Sequence, residues 1–279
     1  MTGMTRLPLA QVTLCAVDTR TPALAALSLQ RSMAAIDFGR VVLFTDHWTQ
    51  PQPLPGVELL QIPTLRSGAD YSQFVLRVLP GHVHTSHVLI TQWDGFVLDA
   101  GAWSDDFLDY DYLGAVWPDA PAGQEVGNGG FSLRSRRLLA AGLDPRITQV
   151  HPEDQVLCRD HRILLEREHG VRFAPPAVAR HFAFENEPPR GAVFGFHGPV
   201  NLPRVLDERS LLGVVDQLPD EFFRSRDARR LARSLLMHRM PAAAQRLLQR
   251  RRAAGRHDAN TRVLGALASL QGLLLPGAR

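Results

Sequence analysis

Aspartates stand just beyond three apolar runs in the first third of the chain, and these are Asp18, Asp46 and Asp94. Runs of this kind predict buried strands of a parallel sheet, and open α/β sheets bind ligands at the carboxyl ends of such strands. Carboxylates gathered there repel phosphate unless Mg²⁺ or Mn²⁺ lies between them, which makes Asp94 a candidate metal ligand. Taken alone, Asp94 is also explained as a turn residue followed by Gly95.

A glycine-rich turn, Gly127-Asn128-Gly129-Gly130, precedes the apolar residues that begin at Phe131. It lacks the lysine-bearing phosphate loop and the full GxGxxG dinucleotide pattern. The glycines favour a turn whose backbone approaches a ligand closely, and a tight turn without a ligand is the alternative.

Two further motifs carry titratable side chains. Glu153 and Asp154 precede a predicted helix, where acidic residues serve as caps. As an adjacent pair they also suit acid–base work, with one accepting a proton while the other positions a hydroxyl. His197 stands between Phe196 and Gly198, and the neighbouring glycines leave its imidazole accessible to Mn²⁺ beside a carboxylate.

The elements that must position these residues follow from the spacing of apolar side chains. Strands are predicted at 11–17, 41–44, 57–62, 88–90, 112–116 and 131–133, and helices at 22–35, 70–79, 103–109, 134–141 and 153–168. Alternating strands and helices predict an α/β fold with a mostly parallel sheet flanked by helices. Beyond residue 218 the pattern is all-helical.

Composition excludes several function classes. All 31 basic residues are arginine, so the chain has no lysine for a phosphate loop, a Schiff base or a Ser-Lys pair. The two cysteines, Cys15 and Cys158, form no metal spacing or disulfide framework. No apolar run reaches membrane-spanning length and the first residues lack a signal-peptide pattern, so we expect a cytoplasmic protein.

Charge is divided unevenly along the chain. Residues 223–279 hold 13 arginines and 2 aspartates, whereas the preceding part of the chain is net acidic. We expect a first domain over residues 1–215 and a basic helical extension over 216–279. The small residues and leucines of the extension resemble tetratricopeptide hairpins, and a C-terminal helical pair packed on the first domain is the alternative. The arginines of 223–256 are expected on a solvated face, with contact to a protein or to anionic lipid of the inner membrane as the alternative. No nucleic-acid motif accompanies them, and no nucleic-acid partner is expected.

Eight stretches resemble, in order, a known family. They are AVDTR, SMAAIDFGRVVLFTD, YSQFVLR, HVLITQWDGFVLD, WSDDFLDYDYLGAVW, VGNGGFSLRSRRLL, PEDQVLCR and FGFHG. The family is a glycosyltransferase-like group of bacterial and fungal proteins catalogued as a domain of unknown function, and it is similar to the GT-A glycosyltransferases. The resemblance implies a bacterial hexosyltransferase of GT-A-like, Rossmann-like fold. It also implies a nucleotide-sugar donor, with a UDP-sugar favoured, a carbohydrate or glycan acceptor, and Mn²⁺ or Mg²⁺.

The resemblance also assigns roles to single residues. Asp94 ends a stretch that in those enzymes is Asp-x-Asp, and Gln92 replaces the first acid, so Asp94 and His197 would bind the metal. Asp154 or Glu153 would deprotonate the acceptor hydroxyl in an inverting transfer. The remaining expected contacts are Asp18, Thr19, Asp46, Arg77 and Asp94 with the donor nucleotide, and Trp93, Asn128, Gly129 and Gly130 with the sugar or acceptor.

Two other functions stay open. A nucleotidyltransferase would also use Asp94 to hold a catalytic metal, although the chain lacks the lysine-bearing N-terminal loop often found in such enzymes. A catalytically inactive sugar- or nucleotide-binding module would act through the helical extension as its partner surface.

Overall fold

The computed structural model describes residues 6–50 and 52–274 of the chain. The chain forms two compact units, the first ending at His197 and the second beginning at Gly198. This division lies ahead of residue 215, where the sequence predicted the first domain to end. The intervening residues belong with the second unit because helix Glu208–Gln217 packs against helix Pro241–Ala253.

The first unit is an α/β fold, as the alternating pattern predicted. Its strands, in chain order, are β1 (Leu7–Val17), β2 (Ile36–Thr45), β3 (Glu58–Gln61), β4 (His87–Thr91), β5 (Phe96–Val97), β6 (Tyr112–Leu113), β7 (Phe131–Ser135), β8 (Ala183–Phe184) and β9 (Gly195–Phe196). Its helices are α1 (Pro22–Met33), α2 (Gly68–Gln73), α3 (Arg136–Ala141), α4 (Glu153–Gln155), α5 (Arg162–His169) and α6 (Pro176–Phe182). Single π-helical segments continue α2 over Phe74–Val78 and α4 over Val156–Asp160.

The central sheet has six strands in the order β3-β2-β1-β4-β7-β6. Strands β3, β2, β1 and β4 are parallel neighbours, and β7 runs antiparallel to both β4 and β6. Every residue of β4 is buried, which explains why its sequence is a continuous apolar run rather than an alternating one. Because β7 is antiparallel to β4, Thr91 at the end of β4 pairs with Phe131 at the start of β7. The residues that follow β4 therefore lie beside the residues that precede β7.

Local sequence explains how the flanking helices begin. Helix α1 starts with Pro22, whose missing N–H costs nothing at the first helical position. Helix α2 begins with a capping box, in which the Ser67 hydroxyl accepts from the Asp70 amide and the Asp70 carboxylate accepts from the Ser67 amide. The apolar face of α1, including the fully buried Ala25 and Leu29, packs into the core beside the sheet.

A second, three-stranded sheet in the order β5-β9-β8 was not predicted from the sequence. Each of its strands has two residues, which is too short to produce a recognisable period. Phe96 and Phe184 both pair with Phe196, and their rings contact the ring of Phe196. This small sheet joins segments that lie about one hundred residues apart in the chain.

The second unit is helical. Its helices are α7 (Leu202–Val205), α8 (Glu208–Gln217), α9 (Asp220–Arg224), α10 (Arg226–Met237), α11 (Pro241–Ala253) and α12 (Ala259–Leu274). One arginine departs from the expected solvated face: Arg251 is buried, and its guanidinium donates to Oγ1 of Thr261 at 2.9 Å and to the carbonyl of Phe223 at 2.6 Å. Among the described residues, no helix combines the length and apolar character needed to cross a membrane. Tetratricopeptide-like pairing and a membrane or protein contact through 223–256 stay predictions.

Candidate active site

The small sheet brings three titratable side chains to one edge. Strand β5 is antiparallel to β9, so the residues just before Phe96 lie beside those just after Phe196. Strand β8 is parallel to β9, so the residue after β8 reaches the same edge. Asp94, Glu185 and His197 therefore meet there, although they are separated by as many as 103 positions in the sequence.

His197 lies between the two carboxylates. Its Nδ1 is 3.1 Å from Oε1 of Glu185, and its Nε2 is 3.4 Å from Oδ1 of Asp94 and 3.3 Å from Oε1 of Gln92. Burial alone disfavours the imidazolium, but the charges and contacts of Asp94 and Glu185 outweigh it and raise the pKa of His197 to about 10. Burial of Glu185 is likewise outweighed by the bond to His197, which lowers the pKa of that carboxyl.

The glycine turn closes over this cluster. The amide of Gln92 donates to the carbonyl of Gly130 at 2.9 Å, which continues the pairing of β4 with β7. A Cβ added at Gly130 would lie 2.0 Å from Nε2 of His197, and one at Gly129 would lie 2.1 Å from Oε1 of Glu153. The backbone of the turn therefore lies close to side chains of the protein itself, and its approach to a ligand stays a prediction.

Glu153 and Asp154 have different surroundings, although they are adjacent. Glu153 is buried, and its Oε1 lies 3.0 Å from Nη2 of Arg134, which is also fully buried. The hydroxyl of Ser72 donates to the other oxygen of Glu153 at 3.3 Å. Removing one member of a buried charge pair of this kind strongly destabilises the folded protein. The carboxylate of Glu153 is therefore needed as the partner of Arg134.

Asp154 lines the pocket without an arginine partner among the residues that the structure describes. Its Oδ2 accepts from the amide of Gly129 at 3.1 Å, and its Oδ1 accepts from the amide of Gln155 at 2.8 Å. Burial and then the charge of Glu153 raise the pKa of Asp154, against the lowering effect of these amides and of Arg134. A carboxylate whose pKa is raised by its surroundings is suited to acid–base chemistry.

These groups line one open pocket of about 200 Å³. Its walls are Gln92, Trp117, Asn128, Gly129, Gly130, Glu153, Asp154, Glu185 and His197. Asp94 lies directly behind His197 and is buried. The pocket is therefore rich in carboxylates, and its cationic groups are His197 and the Arg134 guanidinium behind Glu153.

The donor atoms around His197 fit a divalent cation. Oδ1 of Asp94 is buried and accepts no hydrogen bond of good geometry from the residues that the structure describes. Carboxylate and amide oxygens together with an imidazole nitrogen suit Mn²⁺. The described residues contain no group of three or more His, Cys, Asp or Glu arranged for a metal, so a third protein ligand would be the amide oxygen of Gln92.

The other residues expected to bind the donor lie along the carboxyl edge of the sheet, where they contact neighbouring residues of the protein. Asp18 accepts from Thr21 within the loop that follows β1. Asp46 accepts from Thr64, and Thr19 both donates to and accepts from the backbone of Leu65, so these two contacts connect the loop after β3 with the loops after β2 and β1. Donor contacts by these three residues stay predictions.

Two further predicted contacts differ in their placement. The guanidinium of Arg77 donates to the carbonyls of Gly142, at 2.6 Å, and of Ile147, so these donors are already engaged within the protein. Trp93 is half-buried beside Gln92 and is not among the residues that line the pocket. Asn128 does line it, with a left-handed backbone (φ 68°) and an Oδ1 that accepts from the amide of Gly130.

Sequence reasoning missed four residues of the site, namely Trp117, Arg134, Glu185 and the contribution of Gln92. Glu185 follows an apolar pair of residues, Ala183 and Phe184, which is too weak a signal for a strand end. Arg134 belongs to β7 and lies within the stretch VGNGGFSLRSRRLL, but the resemblance assigned it no role. Gln92 was noted only for the acid that it replaces.

A family model, described as Protein of unknown function (DUF5672), matches residues 56–197. This segment makes up just over half of the chain. The chain belongs to this family. The matched segment includes every residue that lines the pocket and ends at His197, which is also the last residue of the first unit.

Other comparisons are more distant. The crystal structure of the apo-form glycosyltransferase GlyE in Streptococcus pneumoniae TIGR4 is similar over 69% of this chain and 54% of that chain, with 15% sequence identity and a TM-score of 0.38. The chain thus spans about half the length of that protein. No curated protein matches the chain.

Gly130→Ala tests the convergence at the glycine turn. The added Cβ would overlap His197, which Glu185 holds from the other side, so we expect the free energy of unfolding to fall by about 1–3 kcal/mol. Gly81→Ala is the matched control, since its Cβ meets nothing within 4 Å, and surface changes of that kind stay within about 0.5 kcal/mol. Denaturant unfolding measures both, and equal stability of the two variants would contradict the tight packing at Gly130.

Proposed function

We propose that the chain is a glycosyltransferase that moves a sugar from a nucleotide-sugar donor to an acceptor hydroxyl with inversion and with a divalent metal. The observation that carries the proposal is the division of roles around one pocket. Asp154 is a pocket-lining carboxylate of raised pKa, His197 lines the same pocket, and Asp94 lies 3.4 Å from His197, so that metal-type donor atoms and a base border one pocket. The motif resemblance to GT-A glycosyltransferases supports the same assignment.

Asp154 is suited to act as the base. The amides of Gly129 and Gln155 each donate to one of its oxygens, and these two bonds fix the orientation of the carboxylate. Neutral amide donors lower the basicity of a carboxylate less than a directly paired cation would. Its raised pKa brings it closer to the pH of the reaction, where a general base is most effective. Glu153 cannot take this role while its charge is paired with Arg134 inside the protein.

The reaction then balances as follows. The oxygen of the acceptor hydroxyl forms a bond to the anomeric carbon, and its proton passes to Asp154. The bond from the anomeric carbon to the diphosphate oxygen breaks, and its electron pair leaves with the nucleoside diphosphate. Since this attack must be in line, much of the rate comes from holding the hydroxyl behind the anomeric carbon.

Charge on the departing diphosphate must be offset in a pocket that is itself acidic. Asp94, His197 and Gln92 would hold Mn²⁺ or Mg²⁺, which supplies positive charge against the leaving group when bound. His197 would contribute its neutral Nε2 in that state, with Nδ1 still donating to Glu185. A UDP-sugar is the favoured donor and a glycan hydroxyl the acceptor.

Asp154→Asn tests the base directly. We expect turnover to fall by about 10²–10⁴-fold while donor affinity is retained, because the amide keeps the shape but not the basicity. Asp160→Asn is the matched control, since Asp160 is exposed in the π-helical segment that follows. Steady-state turnover and donor calorimetry provide the two readings, and equal turnover of Asp154→Asn and wild type would remove Asp154 from the mechanism. Clear donor binding with no transfer in the wild type would favour the binding module.

Glu153→Gln tests the electrostatic coupling of the pair. Asp154 must be ionised to act as base, so activity is lost as the pH falls through its raised pKa. Removing the neighbouring charge lowers the pKa of Asp154, and the acid limb of the rate profile should move to lower pH. Glu166→Gln, which changes an exposed acid paired with Arg162, should leave the limb where it is. A limb that stays fixed or moves upward in Glu153→Gln would contradict the coupling.

A further inference from the structure

Glu185 contacts the Nδ1 side of the His197 imidazole, and the proposed mechanism gives this carboxylate no part in the reaction. It is the first residue after β8, and its Oε1 accepts from Nδ1 of His197 at 3.1 Å. The side chain is 22% exposed, against 15% for His197, so the bond lies in the wall of the pocket rather than in open solvent. No motif or resemblance in the sequence indicated a role for this residue.

This contact determines what the other ring nitrogen can do. An imidazole has two different nitrogens, and the partner of one decides which atom the other presents. With Nδ1 directed at Glu185, Nε2 faces Oδ1 of Asp94 and Oε1 of Gln92. Gly130 packs against the same ring, where a Cβ would lie 2.0 Å from Nε2, so the ring has little room to rotate.

We infer that Glu185 is a positioning residue that orients His197 so that Nε2 is available to a divalent cation. The inference rests on the proposed function, which needs the cation. Metal-binding histidines almost always donate their second N–H to a carboxylate, a carbonyl or water, and removal of such a partner typically lowers metal affinity about 10–100-fold. Here the partner is a carboxylate that follows β8 directly and whose other oxygen accepts from Nδ2 of Asn186 at 2.8 Å.

The charge of Glu185 also bears on the missing acid. Gln92 stands where the resembling enzymes have the first acid of Asp-x-Asp, so Asp94 is the single carboxylate whose oxygen meets Nε2 of His197. Glu185 adds a second negative charge at the Nδ1 side of the imidazole. A divalent cation is thereby matched by two carboxylates, one as ligand and one acting through the histidine.

Three variants separate orientation, charge and general surface effects. Glu185→Ala removes both the acceptor and the charge, whereas Glu185→Gln keeps an acceptor oxygen and removes only the charge. Glu187→Ala is the matched control, because Glu187 is two residues away and pairs with Arg180 at 3.4 Å instead of with His197. None of these residues contacts the reacting atoms in the proposed mechanism.

The test is Mn²⁺ binding to the whole chain of residues 1–279, monitored by electron paramagnetic resonance of the free ion, with thermal unfolding as the check that each variant is folded. Glu185→Ala should weaken Mn²⁺ binding about 10–100-fold, Glu185→Gln should weaken it less, and Glu187→Ala should match the wild type. Should Glu185→Ala fail to fold, the Mn²⁺ affinity of Glu185→Gln compared with that of Glu187→Ala decides the question alone.

The outcomes distinguish this inference from the proposal on which it rests. Equal Mn²⁺ affinity in the folded Glu185 variants and Glu187→Ala would overturn the positioning role and leave the metal-assisted transferase intact. A wild-type protein that does not take up Mn²⁺ would overturn both the metal in the proposed mechanism and the role of Glu185.

Discussion

The absence of side chains at the glycine turn allows the parts of the site to meet. A Cβ at Gly127 would overlap the ring of Trp117, one at Gly129 would overlap Glu153, and one at Gly130 would overlap His197. Three chain segments that are distant in sequence therefore pack directly on one backbone. Interiors packed at this density cannot absorb a methyl group without moving a neighbour. Pocket shape thus depends on steric exclusion at these positions as much as on the hydrogen bonds within it.

Charge in the pocket follows from the same packing. The buried Arg134–Glu153 pair neutralises one of the pocket carboxylates, which leaves Asp154 as the member of the adjacent pair without an arginine partner in the described part of the chain. In the same pocket, His197 takes part in two carboxylate contacts and is the cationic member of that group. A substrate carrying a diphosphate meets a surface of net negative charge here. This explains physically why a cation belongs in the proposed chemistry.

The parts of the fold that sequence could predict are those with local signals. Strands β1, β2 and β4 contain runs of buried apolar residues, and the aspartates beyond them lie at the carboxyl edge as expected. The glycines suggested close backbone approach to a ligand but gave no sign of the protein side chains that pack on them. The small sheet, and with it the meeting of Asp94 and His197 with Glu185, depends on pairing between two-residue strands, of which β5 is far in sequence from β8 and β9. Such pairing is determined by tertiary packing, and no local period reveals it. The same holds for Arg134, whose buried partner lies 19 residues away.

The most direct test of the central claim is a thermal-shift panel on the wild-type protein with UDP, GDP, CDP, ADP and TDP, each with Mn²⁺ and with a chelator. A ligand present at one hundred times its dissociation constant stabilises the folded state by about 2.7 kcal/mol, which at this chain length raises the unfolding midpoint by several degrees. We expect one nucleotide, UDP, to produce this rise with Mn²⁺ and to lose it with chelator. A rise that survives chelator would remove the metal from the account, and no rise with any nucleotide would contradict the assignment of the pocket to a nucleotide-sugar donor.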